Sequence, residues 1–190
     1  QVKVKFESLG NVKAIEEVGE RIKAFVASDD AAGQFAWKIT RDTLLYSANR
    51  IPDIADDVLN VDNAMKWGFN WDMGPFETWD ALGVKETADR ITKEGGKLPA
   101  IVKAVLEKGQ GSFYKTEAGK KFYFDGNKYQ EIKTRPNHLV IKTLKDQKKE
   151  IKSNDGASII DLGDGVLCVE FHTKMNAIDS DIGQSLNDAL

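Results

Sequence analysis

The sequence predicts a mainly α-helical fold with β-hairpins in its C-terminal part. Apolar residues recur every three or four positions through about the first 110 residues, and after Gly111 they alternate with polar residues around glycine-containing turns. The 190 residues are 41% hydrophobic and 30% charged, a composition typical of a chain that can bury a core. No apolar run approaches the roughly 18 residues of a membrane span. A net charge of -3 argues against a general nucleic-acid binder.

The N-terminal residues predict a strand and then a long helix. Val2, Val4 and Phe6 alternate with polar residues before a break at Gly10, which is typical of a short strand. After Gly10 the apolar spacing changes to three and four residues, which predicts an amphipathic helix from Asn11 to about Ser28. The apolar positions of that helix are Val12, Ile15, Val18, Ile22, Phe25 and Val26.

A second long helix is expected to begin at an aspartate cap, Asp29 or Asp30. It should stop before Pro52, because the residue before a proline disfavours helical backbone angles. One side of this helix is apolar and consists of Ala32, Phe35, Ala36, Ile39 and Thr43.

Four shorter helices are predicted from apolar spacing, proline starts and glycine stops. They run from Asp57 to Trp67, from Pro75 to Leu82, from Lys85 to Glu94 and from Pro99 to Lys108. Gly68, Gly83 and Gly109 are placed as the stops.

The C-terminal part alternates in the manner of strands. Aromatic residues between 113 and 132 predict a hairpin or three-stranded meander around Ala118-Gly119 and Asp125-Gly126. Residues 135–152 are rich in lysine and poor in large apolar side chains, which indicates a solvated linker. Two apolar strands around Gly163-Asp-Gly and a helix from Asp179 or Ser180 complete the prediction.

The segment from Ala64 to Gly83, AMKWGFNWDMGPFETWDALG, is the most specific part of the chain. It packs three tryptophans, two phenylalanines and a Gly-Pro helix start into twenty residues. This segment resembles the signature of the C-terminal helical domain of 3-hydroxyacyl-CoA dehydrogenases, which carry a similar run of Ala-Met, Gly and Met-Gly-Pro-Phe-Glu followed by Asp and Gly. The resemblance covers roughly residues 11 to 110 and implies a helical domain of that type.

The last 35 or so residues resemble the first elements of the enoyl-CoA hydratase (crotonase) family: a hairpin, a Met-Asn-Ala loop and a helix. In that family the loop backbone helps to hold the adenine end of CoA, which implies CoA-binding positions at Lys174, Met175 and Asn176. An alignment on Asn176-Ala177 puts the family's lysine on Thr173. It therefore stays open whether Lys174 reaches a CoA phosphate.

The order of the two resemblances implies the middle of a bifunctional fatty-acid β-oxidation protein. The domains expected are a dehydrogenase-type helical domain at 1–110, a β-hairpin and basic linker at 111–155, and a truncated hydratase start at 156–190. The parent protein would use NAD and a CoA thioester substrate, and the partners of this part are the remaining domains of the same polypeptide. The start at Gln1 rather than Met is also expected of a piece of something longer.

We expect the fragment itself to be inactive and assign it no catalytic residue. Active dehydrogenases show a Phe-x-x-Asn-Arg-like start to the first long helix of this domain, whereas the chain reads QFAWKITR from Gln34 to Arg41, without an asparagine. It has no Gly-x-Gly-x-x-Gly fingerprint for NAD. The resemblance therefore implies the second, non-catalytic copy of the helical domain, which packs against the catalytic copy.

Other side chains receive structural interpretations. Core or interdomain packing is favoured over adenine stacking for Trp67, Trp71 and Trp79. Capping and surface solvation are favoured over acid-base catalysis for Glu77 and Asp80.

The histidines and the cysteine point to no metal or disulfide site. A lone histidine at a strand end, such as His172, is usually structural, and the second histidine, His138, is far away in sequence, so no metal site is predicted. Cys168 is the only cysteine, so we expect no disulfide and a cytoplasmic location.

Two further expectations concern assembly. Strand edges in residues 156–171 lack partners in a truncated hydratase domain, so we expect them to pair between copies, which makes a homodimer possible. The alternative from a different functional class is a complete helical binding or scaffold protein that recognises a CoA thioester or a partner helix.

Overall fold

The computed structural model describes residues 5–133 and 139–190 and contains two compact units. The first unit ends at Ile132 and the second runs from Lys133 to Leu190. Helices dominate, and two small antiparallel sheets lie in the C-terminal part, so the predicted mainly α fold with C-terminal hairpins is confirmed. Within the described residues, no helix has both the length and the apolar composition that crossing a membrane requires.

The helices of the first unit are α1 (Glu7–Asn11), α2 (Val18–Val26), α3 (Ala31–Ala48), α4 (Val58–Phe69), α5 (Pro75–Leu82), α6 (Val84–Lys93) and α7 (Ala100–Glu107). Its strands are β1 (Tyr114–Glu117), β2 (Lys120–Phe124) and β3 (Tyr129–Glu131). The second unit contains α8 (Ile141–Asp146), β4 (Glu150–Ser153), β5 (Ala157–Gly163), β6 (Val166–Phe171) and α9 (Ser180–Asp188).

The predicted N-terminal strand is wrong where the structure describes it. Phe6 has extended angles, but it is the N-cap of α1 rather than part of a strand. Val2 and Val4 lie outside the described residues. The hydroxyl of Ser8 donates to Asp30 Oδ1 at 2.8 Å, so α1 is attached to the start of α3. This tertiary contact favours a helix over the strand that the alternation predicts.

The helix predicted from Asn11 is divided. A 3-10 turn covers Val12–Ala14 and Ile15 is extended, so α2 begins only at Val18. The carboxylate of Glu17 accepts a hydrogen bond from the backbone N–H of Glu20 at 2.6 Å. This cap satisfies a free amide at the start of the helix and thereby sets its first residue.

The other helix starts agree closely with the sequence prediction. Asp30 caps α3, with its Oδ1 accepting from the Gly33 N–H at 2.9 Å, and α3 ends at Ala48, before Pro52. Pro75 occupies the first position of α5. The predicted stop at Gly68 is wrong, because α4 continues to Phe69 and ends on Asn70, which adopts left-handed angles with φ 55°.

The core of the first unit is built around aromatic residues of α5 and the loop before β1. Phe76 and Phe113 meet edge to face with ring centroids 4.8 Å apart, and Trp79 lies 5.8 Å from the same Phe113 ring. All three side chains are fully buried. These contacts pack α5 against the residue that leads into the meander.

The meander is confirmed as three antiparallel strands in the order β1-β2-β3. Tyr114 pairs with Tyr123 across β1 and β2, and Phe124 pairs with Tyr129 across β2 and β3. Ala118 and Gly119 both have positive φ, at 49° and 76°, as the tight turn between β1 and β2 requires.

The second unit is a three-stranded antiparallel sheet in the order β4-β5-β6 with two helices. The predicted hairpin is confirmed as β5 and β6, with Ala157 opposite Phe171. The lysine-rich segment differs from the solvated linker that its composition indicates, because it contains α8 and β4. Since β4 pairs with β5 on one side and β6 pairs with it on the other, β5 has a partner on both sides, and within the described residues β4 and β6 are the two edges of the sheet.

Candidate interaction groove and buried carboxylate network

An apolar groove of about 860 Å³ opens in the first unit. Helices α1, α2 and α3 and the turn between α4 and α5 form its walls. Large apolar side chains that line it include Ile22, Phe25, Phe35, Ile39, Trp71 and Met73. Among the described lining residues, Asp72 is the charged one, so the groove offers an apolar surface with almost no means of binding an ion.

Helix α3 supplies the groove with the apolar face that its sequence predicts. Phe35 is 65% exposed and Ile39 is 54% exposed, so this face does not belong to the core of the described unit. The opposite face of the helix is the buried one, and it includes Trp37 and Ala48. Helix α3 is thus apolar on both faces, one of them covered and one of them open.

The last residues of α4 and the turn that follows it carry exposed aromatic side chains. We call residues 67–73 the aromatic turn. Trp67 is 81% exposed, Phe69 is 71% exposed and Trp71 is 41% exposed, whereas Trp79 is fully buried. Trp79 is therefore a core residue, whereas Trp67 and Trp71 are not in the core of the described chain and interdomain packing stays the prediction for them.

Asp62 holds the start of α5 from a fully buried position on α4. Its Oδ1 accepts from the Phe76 N–H at 2.8 Å, and its Oδ2 accepts from the Glu77 N–H at 2.9 Å. The hydroxyl of Tyr114 also donates to Oδ2, at 2.8 Å. A Cβ on Gly74 would overlap the side chain of Asp62, so the close approach of α4 and α5 requires glycine there. Burial raises the pKa of Asp62 to about 7, against the opposing effect of its hydrogen bonds.

Asp80 fastens the meander to α5 in a similar way. Its carboxylate accepts from the backbone N–H groups of Phe113 at 2.7 Å and Tyr114 at 2.8 Å. Burial raises the pKa of Asp80 to about 6. The predicted surface solvation of Asp80 is therefore wrong, because the meander covers the side chain and uses it as a backbone acceptor.

Glu77 behaves as the capping prediction expects. Its Oε2 accepts from the Gly74 N–H at 2.9 Å, and its Oε1 pairs with Lys66 Nζ at 2.5 Å. Together, Asp62, Lys66, Glu77, Asp80 and Tyr114 form what we call the carboxylate network. Every carboxylate in it accepts from backbone N–H groups, so the network joins α4, α5 and the meander and does not have the free groups of an acid-base catalytic site.

Asp62 is not among the residues predicted above, although the sequence contains a signal for it. Asp62 lies four residues after Val58, on the face of α4 that Val58 and Met65 indicate as apolar. An aspartate among apolar residues at helical spacing predicts a buried carboxylate that needs partners.

The segment of α3 from Gln34 to Arg41, which contains no asparagine, makes structural contacts. Trp37 Nε1 donates to Glu94 Oε1 at 2.7 Å, and Arg41 pairs with Glu94 Oε2 at 2.9 Å. The guanidinium of Arg90 stacks 3.8 Å from the centroid of the Trp37 ring. These contacts connect α3 to α6.

The predicted CoA-binding residues lie together on an exposed turn of the second unit. Lys174, Met175 and Asn176 form a 3-10 turn in which Met175 and Asn176 have φ of 59° and 53°. The side chain of Met175 is 92% exposed. Their CoA contact stays a prediction. The nearby His172 places Nε2 3.3 Å from Glu170 Oε2, and His138 lies outside the described residues.

Three curated proteins resemble this chain. A protein of Bacillus subtilis (strain 168), named a probable 3-hydroxyacyl-CoA dehydrogenase, is 43% identical over all 190 residues. Two proteins of Rickettsia carry the provisional name fatty acid oxidation complex trifunctional enzyme. That of Rickettsia felis (strain ATCC VR-1525 / URRWXCal2) is 23% identical over 96% of the chain, and that of Rickettsia prowazekii (strain Madrid E) is 23% identical over 89%.

The matched region is a small part of each of these proteins. The chain spans 24% of the length of the Bacillus protein and 22% and 21% of the two Rickettsia proteins. No protein-family model matches the chain, and no solved structure matches it.

Proposed function

We propose that this chain is a non-catalytic helical module, followed by the first elements of a hydratase-type domain, of a longer fatty-acid β-oxidation enzyme. That enzyme oxidises 3-hydroxyacyl-CoA with NAD and hydrates enoyl-CoA. The identity of 43% across the whole chain to a protein named a 3-hydroxyacyl-CoA dehydrogenase carries the proposal. The order of the two resemblances supports the hydratase part.

The role of the helical module is to pack against another domain of the same polypeptide. Its apolar groove and aromatic turn expose several large apolar side chains, which is typical of a surface that another protein surface covers. The relatives are about four times as long as the chain, so they contain further chain that can supply the covering surface. The contacts of Trp37 and Arg41 with Glu94 support a structural use of the segment where active members carry their asparagine.

The NAD and the CoA thioester belong to the longer enzyme. The described sheets are both antiparallel and three-stranded, whereas a Rossmann-type dinucleotide site has a parallel sheet with a glycine-rich turn. The described residues therefore do not form a Rossmann-type site, and the NAD site is proposed to lie in another domain of the longer enzyme. The exposed turn of Lys174, Met175 and Asn176 is proposed to contribute to the adenine end of a CoA site in the hydratase domain, and a cytoplasmic location fits this metabolism.

Sequencing the gene on both sides of the 190 codons tests whether the chain is part of a longer β-oxidation enzyme. Continuation after Leu190 into a hydratase domain, and an upstream dinucleotide-binding domain, are the expected results. A gene that ends at Leu190 would contradict the proposal and favour the stand-alone binding protein.

Substitutions in the groove test the packing role in the full-length enzyme. Phe35→Glu places a charge in the groove and is expected to lower the dehydrogenase kcat or the yield of assembled enzyme. Tyr46→Glu is the matched control, because Tyr46 is equally exposed on α3 and does not line the groove. Equal activity and assembly of the two variants would contradict the packing role.

A further inference from the structure

The hydroxyl of Tyr114 has two acceptors within reach. It lies 2.8 Å from Asp62 Oδ2 and 3.4 Å from the backbone carbonyl oxygen of Val58. The first is a good hydrogen bond and the second is a long one. Because a phenol hydroxyl can rotate about its C–O bond, Tyr114 can donate to either acceptor and accept from a partner at the same time.

Asp62 is placed so that it can exist with or without a proton. As a carboxylate it accepts from the Phe76 N–H, the Glu77 N–H and the Tyr114 hydroxyl, and all of these donors are satisfied. As a carboxylic acid it needs one acceptor for its new O–H, and the oxygen of Tyr114 is the group at hydrogen-bond distance. The second acceptor at Val58 then receives the tyrosine proton, so neither state leaves a buried donor unpaired.

We propose that Asp62 and Tyr114 form a buried proton-binding pair, in which Tyr114 donates to ionised Asp62 and turns toward Val58 when Asp62 takes up a proton. The proton comes from solvent and is held on Asp62 Oδ2, where it is donated to the Tyr114 oxygen. No covalent bond between heavy atoms changes. The pair joins α4 to β1 and holds the first residues of α5, next to the aromatic turn.

The charges around the pair favour the protonated form. Glu77 and Asp80 on α5 both act on Tyr114, and Glu77 acts on Asp62 as a like charge. Lys66 on α4, the nearest cation of the network, is paired with Glu77 rather than with Asp62. Burial is the largest cause of the raised pKa of Asp62, about 7, and also of the raised pKa of Tyr114, which the nearby carboxylates raise further. Proton exchange on Asp62 would therefore occur near neutral pH.

A carboxyl carbon NMR titration of the 190-residue protein tests the pair directly. The Asp62 resonance, assigned by its loss in Asp62→Asn, is expected to titrate well above the usual aspartate range of about 4. The Cζ resonance of Tyr114 should move with the same midpoint, because the hydroxyl changes from donor to acceptor toward Asp62. An Asp62 midpoint near 4, or a Tyr114 resonance that does not follow it, would overturn the proposal.

A variant of Tyr114 distinguishes the effect of its hydrogen bond on the Asp62 midpoint from the effect of burial alone. Tyr114→Phe removes both the donor to ionised Asp62 and the acceptor for protonated Asp62. Because the charge-assisted bond to the carboxylate is the stronger of the two, the Asp62 midpoint should rise by about half a pH unit or more. Tyr123→Phe is the control, since Tyr123 lies in the same sheet and interacts with Asp57 instead. A midpoint that is the same in Tyr114→Phe as in the wild type would show that burial alone sets the proton affinity, and the pair would be wrong.

Discussion

At the scale of single residues, the buried Asp62 and the half-buried Asp80 are expected to make stability depend on pH. The pKa of Asp62 is raised to about 7 and that of Asp80 to about 6, from ordinary aspartate values in the unfolded chain. The folded state therefore binds these protons more tightly than the unfolded state does. Their contribution to stability is fully present below about pH 4, the unfolded value, and is lost as the pH rises through about 6 and 7.

The free energy of unfolding should accordingly fall, by at least about 1 kcal/mol, between about pH 5 and about pH 8. Carboxylates with lowered pKa, such as Asp30 and Asp125, do not oppose this change, because they are ionised in both states throughout that range. Urea unfolding followed by tryptophan fluorescence measures it, since all four tryptophans lie in the first unit. In Asp62→Asn/Asp80→Asn the dependence should become flatter. If the free energy of unfolding depends on pH equally steeply in this double variant, groups other than Asp62 and Asp80 cause the dependence.

A second residue-scale prediction concerns Gly74. Gly74→Ala adds a Cβ that overlaps Asp62, including its backbone Cα, so helices α4 and α5 must move apart. The expected loss of stability is about 1–3 kcal/mol, as for other overpacked sites. Gly68→Ala is the matched control in the same segment, because an added Cβ there meets nothing within 4 Å. It should instead stabilise α4 by about 0.5–1 kcal/mol, and equal effects of the two substitutions in urea unfolding would contradict the close-approach argument.

At the scale of elements, Asn70 ends α4 in the middle of the aromatic turn. Asn70 adopts left-handed angles, which asparagine tolerates better than other residues with a Cβ. Asn70→Ala should therefore destabilise the first unit by about 1 kcal/mol, whereas Asn70→Gly should not. Thermal unfolding of the two variants tests this difference. Equal melting temperatures of Asn70→Ala and Asn70→Gly would contradict the prediction, because they would show that alanine in the left-handed conformation costs no stability here.

The same helix end shows why some boundaries could be predicted and others could not. The Asp30 cap and the Pro75 start act locally, within one turn of the chain, and the sequence alone predicts them. Gly68 looks like a stop by the same reasoning, yet the helix passes through it, because glycine permits left-handed angles without requiring them. The N-terminal strand failed for a different reason: the contact of Ser8 with Asp30 spans 22 residues, and alternation carries no information about it.

The candidate site likewise has features that the sequence predicts and features that it does not predict. The spacing of Phe35 and Ile39 on α3 predicts an apolar face, and the structure has that face. Periodicity does not say whether the described chain covers an apolar face, so the groove could not be distinguished from the core. Asp80 was misassigned because its partners, Phe113 and Tyr114, lie more than 30 residues away.

At the scale of the whole molecule, the open groove predicts how the chain behaves apart from its proposed neighbours. The 190-residue protein should bind a hydrophobic dye such as ANS in its folded state, because Phe35, Ile39 and Trp71 are accessible. Phe35→Glu should reduce that fluorescence and Tyr46→Glu should not. A full-length enzyme should bind less dye per molecule at this face if another domain covers it. Equal dye binding by the two variants would show that the groove is not the site of the exposed apolar surface.

The last prediction concerns activity. The 190-residue protein should neither oxidise NADH in the presence of acetoacetyl-CoA nor bind NADH tightly by calorimetry. The physical reason is that the described residues contain only antiparallel sheets, so they lack the crevice at the carboxyl ends of parallel strands where a dinucleotide binds. The residues of α3 that face α6 are already paired, with Trp37 and Arg41 on Glu94. The full-length Bacillus subtilis relative, assayed alongside, is the positive control for the substrates. Turnover by the isolated chain would contradict the non-catalytic assignment, and it would direct attention to residues outside the groove and the carboxylate network.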